Sequence, residues 1–561
     1  MSNENLSNFN RLNELFFGVL AKPVDQRGSL AQEYEYVPYL NSSLFEKSVT
    51  ESKLEIKPSD LSDDEELPLR KRSVLLDRVA KGTKTLPTLR YLLTFLDSYA
   101  FNTDGKSVND NERLINASVL GLIFEKINGY KDGSFYTPGF VTSFMVQKAI
   151  DRSIIDKFRA EGFKVNSIAD IAEITPENRE KVLSVLRDFK VVDPAVGSGH
   201  FLVSALNYLV KLRAMLRLLP AKIRMDVNIE IENDELVTVM CDDETYFTYS
   251  RGSEMRQSIQ ETLFKTKLDI IEHNLFGVDI NQNSVNITRL RLWIELLKNS
   301  YYEEDGNLRT MPNLEMNVKA GNSVVFKYAL DRNLGDVTAH TNLTVTEFKE
   351  LVQKYRNTDN KVAKSEINKS IKCFKNQIIN GILDKGDRTK LRNLNQQRNE
   401  LQNGMLLFET KHEHAKREKQ IKKLDEKIAV KEARLKEISD APLFANSFEW
   451  RFEFPEALNV NGTFTGFDLV VANPPYIGMQ GHKNIFESVA KTDFGAKWSH
   501  GKIDFFYYFI HLAIDLLNKN GSLAFITTNY WLTATDGAFL RNDLISRTHL
   551  TDLLNFKGLK I

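Results

Sequence analysis

The tetrapeptide Asn473-Pro474-Pro475-Tyr476 directly follows an apolar run, Phe467-Asp468-Leu469-Val470-Val471-Ala472. Four specified residues in this order arise by chance in about one chain per thousand of this length. Their chemistry suits one difficult reaction. An aromatic exocyclic amine is a poor nucleophile because its lone pair is delocalised into the ring. Two oxygens that both accept from the amine favour the more tetrahedral nitrogen of a transition state. Asn473 supplies an amide oxygen and Pro474 a backbone carbonyl. The prolines stiffen the loop, and Tyr476 offers a face on which a base can stack. The plain structural alternative is a rigid Pro-Pro turn with a packed tyrosine.

Two further segments point to a bound small molecule. The run Val191-Val192-Asp193-Pro194-Ala195-Val196-Gly197-Ser198-Gly199-His200-Phe201-Leu202 reads as a buried strand ending in an acid, a tight turn and an apolar helix. Gly197 and Gly199 let the backbone approach a ligand where a side chain would collide. The helix N-terminus presents unpaired N–H groups. Leu202 stands where a dinucleotide fingerprint has its third glycine, so taken alone the turn fits a cofactor loop and a structural turn equally. Phe276-Gly277-Val278-Asp279-Ile280-Asn281 is another apolar strand ending in an acid. In nucleoside-binding sheets such an acid accepts from ribose hydroxyls. Asp279 is equally a candidate N-cap for a helix beginning near Asn283.

The elements that must position these residues follow from patterning. Short apolar runs (Val191–Val192, Leu275–Val278, Leu469–Ala472, Leu523–Thr527) alternate with helix-like stretches, which predicts a parallel sheet with helices on both faces. Residues 1–130 read as a helical N-terminal domain, with apolar faces at Leu12, Phe16, Phe17, Leu20 and at Leu89, Leu92, Leu93, Leu96. Between these, Leu54–Arg72 is polar and acidic. Residues 131–340 hold the cofactor segments and 441–561 the tetrapeptide. Residues 341–440 interrupt them with 23 Lys/Arg against 15 Asp/Glu. Leu391, Leu394, Leu401, Met405, Phe408 and then Ile421, Leu424, Ile428, Leu435, Ile438 recur at heptad spacing there, with Arg398 and Lys431 at skipped seam positions. An inserted antiparallel helical hairpin with solvated charges is one reading; a basic arm on a phosphate backbone is the other.

Composition narrows the class. The 561 residues carry 75 Lys+Arg and 75 Asp+Glu, a net charge of zero, with 42% hydrophobic residues. A disordered chain, a collagen and a protein coating nucleic acid by bulk charge are excluded. Two cysteines, Cys241 and Cys373, cannot build a disulfide framework or a Cys-rich zinc site, and no metal is expected. The start lacks signal-peptide character, and the longest apolar stretch, Phe505–Leu517, is interrupted by His511 and Asp515. A cytoplasmic protein without membrane insertion is expected.

Asp193-Pro194-Ala195-x-Gly197-Ser198-Gly199 followed far downstream by Asn473-Pro474-Pro475-Tyr476 resembles the S-adenosylmethionine-dependent DNA adenine-N6 methyltransferases. The order of parts is similar to their gamma class, and most of all to the methylase part of type IIG restriction–modification enzymes. Phe135-Tyr136-Thr137-Pro138, Gly321-Asn322-Ser323, Asp504-Phe505-Phe506 and Thr527-Thr528-Asn529-Tyr530-Trp531 match further elements of that class, as do Val37–Asn41 and Phe448–Pro455. The resemblance implies a Rossmann-like α/β methyltransferase sheet. It implies an S-adenosylmethionine site at Tyr136, Thr137, Pro138, Asp193, Pro194, Ala195, Gly197, Gly199, Asp279, Ile280, Asn322, Ser323 and Asn473. It places catalysis at Asn473, Pro474, Pro475 and Tyr476, on an adenine flipped out of double-stranded DNA. Two departures stand out. Glu55-Ile56-Lys57 lacks the preceding strand-borne Asp of a nuclease and reads as chance. Leu553–Phe556 reads as the sixth strand, so the family's last strand and target-recognition domain are expected to lie beyond this stretch of sequence; a separate target-recognition or nuclease chain is one partner this reading allows. Cytosine-N4 methylation and a catalytically silent DNA- or partner-binding role stay open. Glutamine-amide methylation and a nicotinamide oxidoreductase fit less of the pattern.

Overall fold

The computed structural model describes residues 9–34 (except 23), 65–98, 137–326 (except 305, 307 and 310–315), 343–358, 361–382, 385–403, 416–429 and 447–556, with a few isolated positions besides. Five strands form its centre: β1 (Val191–Asp193), β2 (Leu275–Asp279), β3 (Val318–Ala320), β4 (Phe467–Ala472) and β5 (Leu517–Phe525). They lie in the order β3-β2-β1-β4-β5 with every neighbouring pair parallel. The chain winds outward from β1 to β3 and then returns to lay β4 on the other side of β1. The switch point therefore falls between β1 and β4, where α/β sheets bind ligands beyond the carboxyl ends of their strands.

A parallel sheet covered on both faces needs strands apolar at successive positions, and β4 is buried at every residue. Val191, Leu469 and Val471 face one core, while Val192, Phe276, Val278 and Val470 face the other. A register shift between Phe467 and Leu469 puts Phe467 on the same face as Val470. At that shift Asp468 accepts from Lys157 Nζ at 2.8 Å, the Lys190 backbone N–H at 2.7 Å and Asn518 Nδ2 at 2.7 Å.

Helices α1 (Gly139–Ala160), α2 (Ile168–Arg187), α3 (His200–Met215), α4 (Glu254–Asn274) and α5 (Gln282–Leu297) build the first core. Nearly every side chain of α3 is buried. Side-chain caps fix three starts: Ser167 with Asp170 in a capping box at α2, Ser253 at α4 and Asn281 at α5. Two antiparallel ribbons, Glu66–Pro68 with Thr85–Pro87 and Val227–Glu232 with Glu235–Met240, were not expected from the patterning. In the N-terminal region the helix Phe9–Asn13 runs into a π-helical turn, Glu14–Leu20, that buries only Val19. The helix Thr88–Asp97 buries Leu89 but leaves Leu92 and Leu96 exposed. Glu55-Ile56-Lys57 lies outside the described residues.

The insertion is more than one hairpin. It holds α6 (Val345–Asn357), α7 (Lys361–Ile382), α8 (Lys385–Asn403) and α9 (416–429). The first two form their own small core through Phe348, Val352, Tyr355, Ile371 and Phe374, which reaches the body at Phe452 and Leu458. The predicted hairpin is α8 with α9: Arg417 donates to the Leu401 carbonyl at 3.3 Å, and Arg398 lies 3.6 Å from Asp425. Of the seam, Leu394, Leu401, Ile421 and Leu424 are half-buried and Ile428 is buried; the side chains of Leu391, Met405, Phe408, Lys431, Leu435 and Ile438 lie outside the described residues. On the second face of the sheet, α10 (Phe506–Leu516) packs with the aromatic segment Phe448–Phe454. The expected sixth strand is absent: residues 551–556 take no regular secondary structure and pair with no strand, with Leu553 and Leu554 exposed.

One ion triad ties the insertion to the sheet. Glu453 accepts from Lys319 of β3 at 3.1 Å and from Lys375 of α7 at 2.8 Å. Burial, then the nearby Lys375 charge, pushes Lys319 down to about 8. Burial works to raise Glu453, but the two ammonium groups outweigh it and hold the carboxyl down to about 2. Glu453→Gln should therefore destabilise the chain by on the order of 2 kcal/mol, read as a lower urea midpoint. The contribution of a depressed carboxyl is complete above its ordinary value of 4.5 and is lost as pH falls towards about 2. The gap between parent and variant should close over that window.

Candidate active site

The candidate residues sit at, or just past, the carboxyl ends of four adjacent strands. Asp193 ends β1, Asp279 ends β2, Asn322 and Ser323 follow β3, and Asn473 follows β4. The glycine turn is a closed network. Gly197 and Gly199 adopt φ of 53° and 80°, left-handed values that favour glycine. The Gly199 N–H donates to the Val196 carbonyl at 2.8 Å and the Val196 N–H to the Val278 carbonyl at 2.9 Å. Ser323 Oγ donates to the Pro194 carbonyl at 2.6 Å, Thr288 Oγ1 to that of Gly197 at 3.0 Å, and Arg291 Nη1 to that of Ser198 at 3.0 Å. A Cβ on Gly199 would lie 2.7 Å from Thr288 Cγ2. The protein itself, rather than a ligand, requires that glycine.

Asp279 is not the helix cap. Asn281 caps α5 by accepting from the Asn283 N–H at 2.9 Å. The Asp279 carboxylate instead accepts from the Gly197 N–H at 2.9 Å and the Asn281 N–H at 2.8 Å, tying β2 to the glycine turn. Ile280, next in sequence, leaves 62% of its surface exposed. Asp193 is buried, and its Oδ1 accepts from the Ala195 N–H at 2.9 Å. Its Oδ2 is buried without a partner. Burial, and then the Asp279 charge, raises this carboxyl well above the usual range. Asn322 Oδ1 accepts from the Val324 N–H at 3.2 Å. The turn, an unsatisfied carboxyl oxygen and an open apolar side chain together fit a nucleoside-bearing cofactor with a polar end.

Asn473 is held at both edges of its amide. Nδ2 donates to Thr137 Oγ1 at 2.9 Å, and Oδ1 lies 2.7 Å from the Tyr476 hydroxyl, which is also 2.7 Å from the Ile526 carbonyl. The phenol has one proton for two acceptors. Exchanging the amide O and N removes the conflict: Thr137 then donates to Oδ1, Nδ2 donates to the phenol oxygen, and the phenol donates to Ile526. Both settings fix the amide plane. Tyr476 is half-buried, edge-on to Phe506 at 5.8 Å between ring centroids, and burial raises its hydroxyl pKa. The later motifs gather here. The Phe505 N–H donates to the Ile477 carbonyl at 2.9 Å, and Asp504 accepts from the Tyr530 hydroxyl. Pro138 precedes the first residue of α1 and accepts from the Val141 N–H at 2.9 Å. Tyr136 lies outside the described residues.

Residues 273–561, slightly more than half the chain, match the Eco57I restriction-modification methylase family. The chain belongs to that family. Residues 170–353, spanning the glycine turn, Asp279 and Asn322–Ser323, match the MmeI DNA-methyltransferase domain. Residues 1–115 match a domain of unknown function, DUF7814. A Methanocaldococcus jannaschii protein, whose name describes a type II restriction enzyme and methyltransferase, is 29% identical over 339 residues, 56% of this chain and 23% of that protein. The chain thus matches about a quarter of that relative's length. The chain's family is one of restriction-modification methylases, and its sheet is of the Rossmann-like methyltransferase kind. Among the described residues no helix is long and apolar enough to cross a membrane.

Sequence reasoning missed Thr288, Arg291, His200 and Asp234, whose partners are remote in the chain. The one available signal was Asn233-Asp234 between alternating apolar residues, a two-residue hairpin turn. Gly199→Ala should cost at least about 1 kcal/mol for its φ alone, plus the clash with Thr288. Adding Thr288→Ser, which removes Cγ2 but keeps the hydroxyl that holds the Gly197 carbonyl, should recover part of the clash, so the double variant should melt between Gly199→Ala and the parent.

Proposed function

We propose that the chain transfers a methyl group from S-adenosylmethionine to N6 of an adenine in DNA. The observation that carries this reading is the amide of Asn473, oriented by Thr137 and Tyr476 beside the glycine turn. A carbonyl-type oxygen has two lone pairs. Asn473 Oδ1 can thus keep its present partner and accept from an incoming amine, with the Pro474 carbonyl as the second acceptor. Asp193, Pro194, Ala195, Gly197, Gly199, Asp279, Ile280, Asn322 and Ser323, with Thr137, Pro138 and Asn473, would hold the cofactor, and Tyr136 joins them by resemblance. The bound cofactor supplies an electrophilic methyl group, so the protein's own contribution is chiefly orientation. Because a duplex hides the amine, the adenine is flipped out towards Tyr476. The relative's name pairs methylation with restriction. We infer a role in a restriction–modification system, with recognition or cleavage supplied by further domains or a separate chain.

Mass-spectrometric nucleoside analysis of mixed-sequence DNA incubated with the chain and S-adenosylmethionine tests the reading. N6-methyladenine is expected from the parent and none from Asn473→Ala, with cofactor binding retained by the variant. N4-methylcytosine would move the assignment to the cytosine enzymes. No methylated base despite cofactor binding would favour a silent DNA-binding role. Separately, Asp279→Ala should raise the cofactor Kd about tenfold in a calorimetric titration, through the lost carboxylate and the loosened glycine turn. Unchanged affinity would remove Asp279 from the site.

A further inference from the structure

We propose that Asp234, at the tip of the ribbon Val227–Met240, is a positioning residue that locks the Thr137–Pro138 segment to the glycine turn and thereby sets cofactor affinity. This rests on the cofactor site proposed above. The ribbon turns through Asn233 and Asp234, both at positive φ (50° and 69°), the geometry of a two-residue hairpin turn. Such a tip ordinarily carries its polar side chain in water. Here the Asp234 side chain is only 6% exposed, and that of its partner His200 only 5%. Asp234 Oδ2 lies 2.6 Å from His200 Nε2, and Oδ1 accepts from Ser204 Oγ at 2.7 Å and from the Ser143 hydroxyl. The Asp234 carbonyl accepts from Asn207 Nδ2 at 3.0 Å.

These groups belong to two elements that the sequence does not connect locally. His200, Ser204 and Asn207 lie along one stripe of α3, whose first residue, His200, directly follows Gly199. Ser143 lies at the start of the second turn of α1. A Cβ on Gly139, one residue past Pro138, would sit 3.4 Å from Asp234 Cβ and 3.7 Å from His200 Nε2. One carboxylate therefore fixes the start of α1 against the start of α3. Thr137, two residues before Gly139, carries the hydrogen bond to Asn473. The cluster reaches Asn473 only through Thr137, and Tyr476 holds the other edge of that amide independently, so its effect should be larger in cofactor binding than in turnover of the loaded protein.

Calorimetric titration of the full chain with S-adenosylmethionine alone tests this, with methylation rates at saturating cofactor as the second readout. Asp234→Asn keeps the side chain's size but removes its charge, and should raise Kd about tenfold while the saturated rate stays within about twofold. His200→Gln should do the same. The double variant should be no weaker than either single one, because both remove the same link. Ser143→Ala, which withdraws only the α1 side, should raise Kd about threefold with an unchanged circular dichroism spectrum, and it guards against misfolding of the other two. Asn233→Gly, exposed on the same turn, should leave Kd as it is. Parent-like affinity in Asp234→Asn and Ser143→Ala, or losses that multiply in the double variant, would overturn the proposal alone. A parent that takes up no S-adenosylmethionine would overturn the site reading and this inference together.

Discussion

The parallel pairing of β1 with β4 is the constraint on which the rest depends. Val191 lies opposite Leu469 and Val192 opposite Val470, although the whole insertion and both β2 and β3 separate them in the chain. Parallel strands point their carboxyl ends the same way, so one pairing brings the glycine turn and the Asn473 loop to the same edge. A slip of one residue would turn every β4 side chain to the opposite core. Asp468 resists that slip from the other end of the strand. Its carboxylate holds the backbone of Lys190, just before β1, the side chain of Asn518 in β5 and Lys157 of α1. The clasp at the foot of the strands and the site at their head are two ends of one register.

The insertion enters after β3 and returns before β4, and it is rooted at the amino ends of the strands. Lys349 and Gln353 of α6 share a cavity with Lys190, just ahead of β1, and with His273, near the start of β2. Lys349 also donates to the Leu458 carbonyl. A root at that end lies across the sheet from Asn473. The arm's excess of lysine and arginine is therefore attached away from the Asn473 loop. The Lys319–Glu453–Lys375 triad shows what anchoring basic helices there requires: one carboxylate serves two ammonium groups, and burial costs them enough that Lys319 is pushed down to about 8.

What could be read beforehand was local. A strand ending in an acid, a turn with glycines at fixed spacing and a tetrapeptide after an apolar run each carry their signal within a dozen residues. The corresponding strands lie where the pattern placed them. Signals that depended on partners far along the chain were hidden. Thr137 and Ser323 were assigned to cofactor contact by resemblance, yet their hydroxyls also hold Asn473 and the Pro194 carbonyl. Asp279 looked like a helix cap because Asp favours that position, but Asn281, two residues on, takes the role. The run Leu553–Phe556 has strand-like composition and no strand, since composition says nothing of whether a neighbour offers N–H and C=O groups to pair with. Charge and heptad spacing exposed the α8–α9 hairpin but not α6 and α7, whose core is shared with Met316, Phe452 and Leu458.

The two acids of the site differ in a way that follows from their surroundings alone. Asp279 has both oxygens engaged by backbone N–H groups, which favour the charged carboxylate. Asp193, deeper and with one satisfied oxygen, is pushed the other way by burial and by the charge of Asp279. The two neighbouring carboxyls therefore differ in how far they are satisfied: both oxygens of Asp279 are engaged by the backbone, whereas one oxygen of Asp193 is buried without a partner. The end of β2 is spent on holding the glycine turn, and the end of β1 keeps an unsatisfied oxygen beside that turn. A buried polar atom left without a partner is costly, so the end of β1 is where a ligand's polar group would gain most.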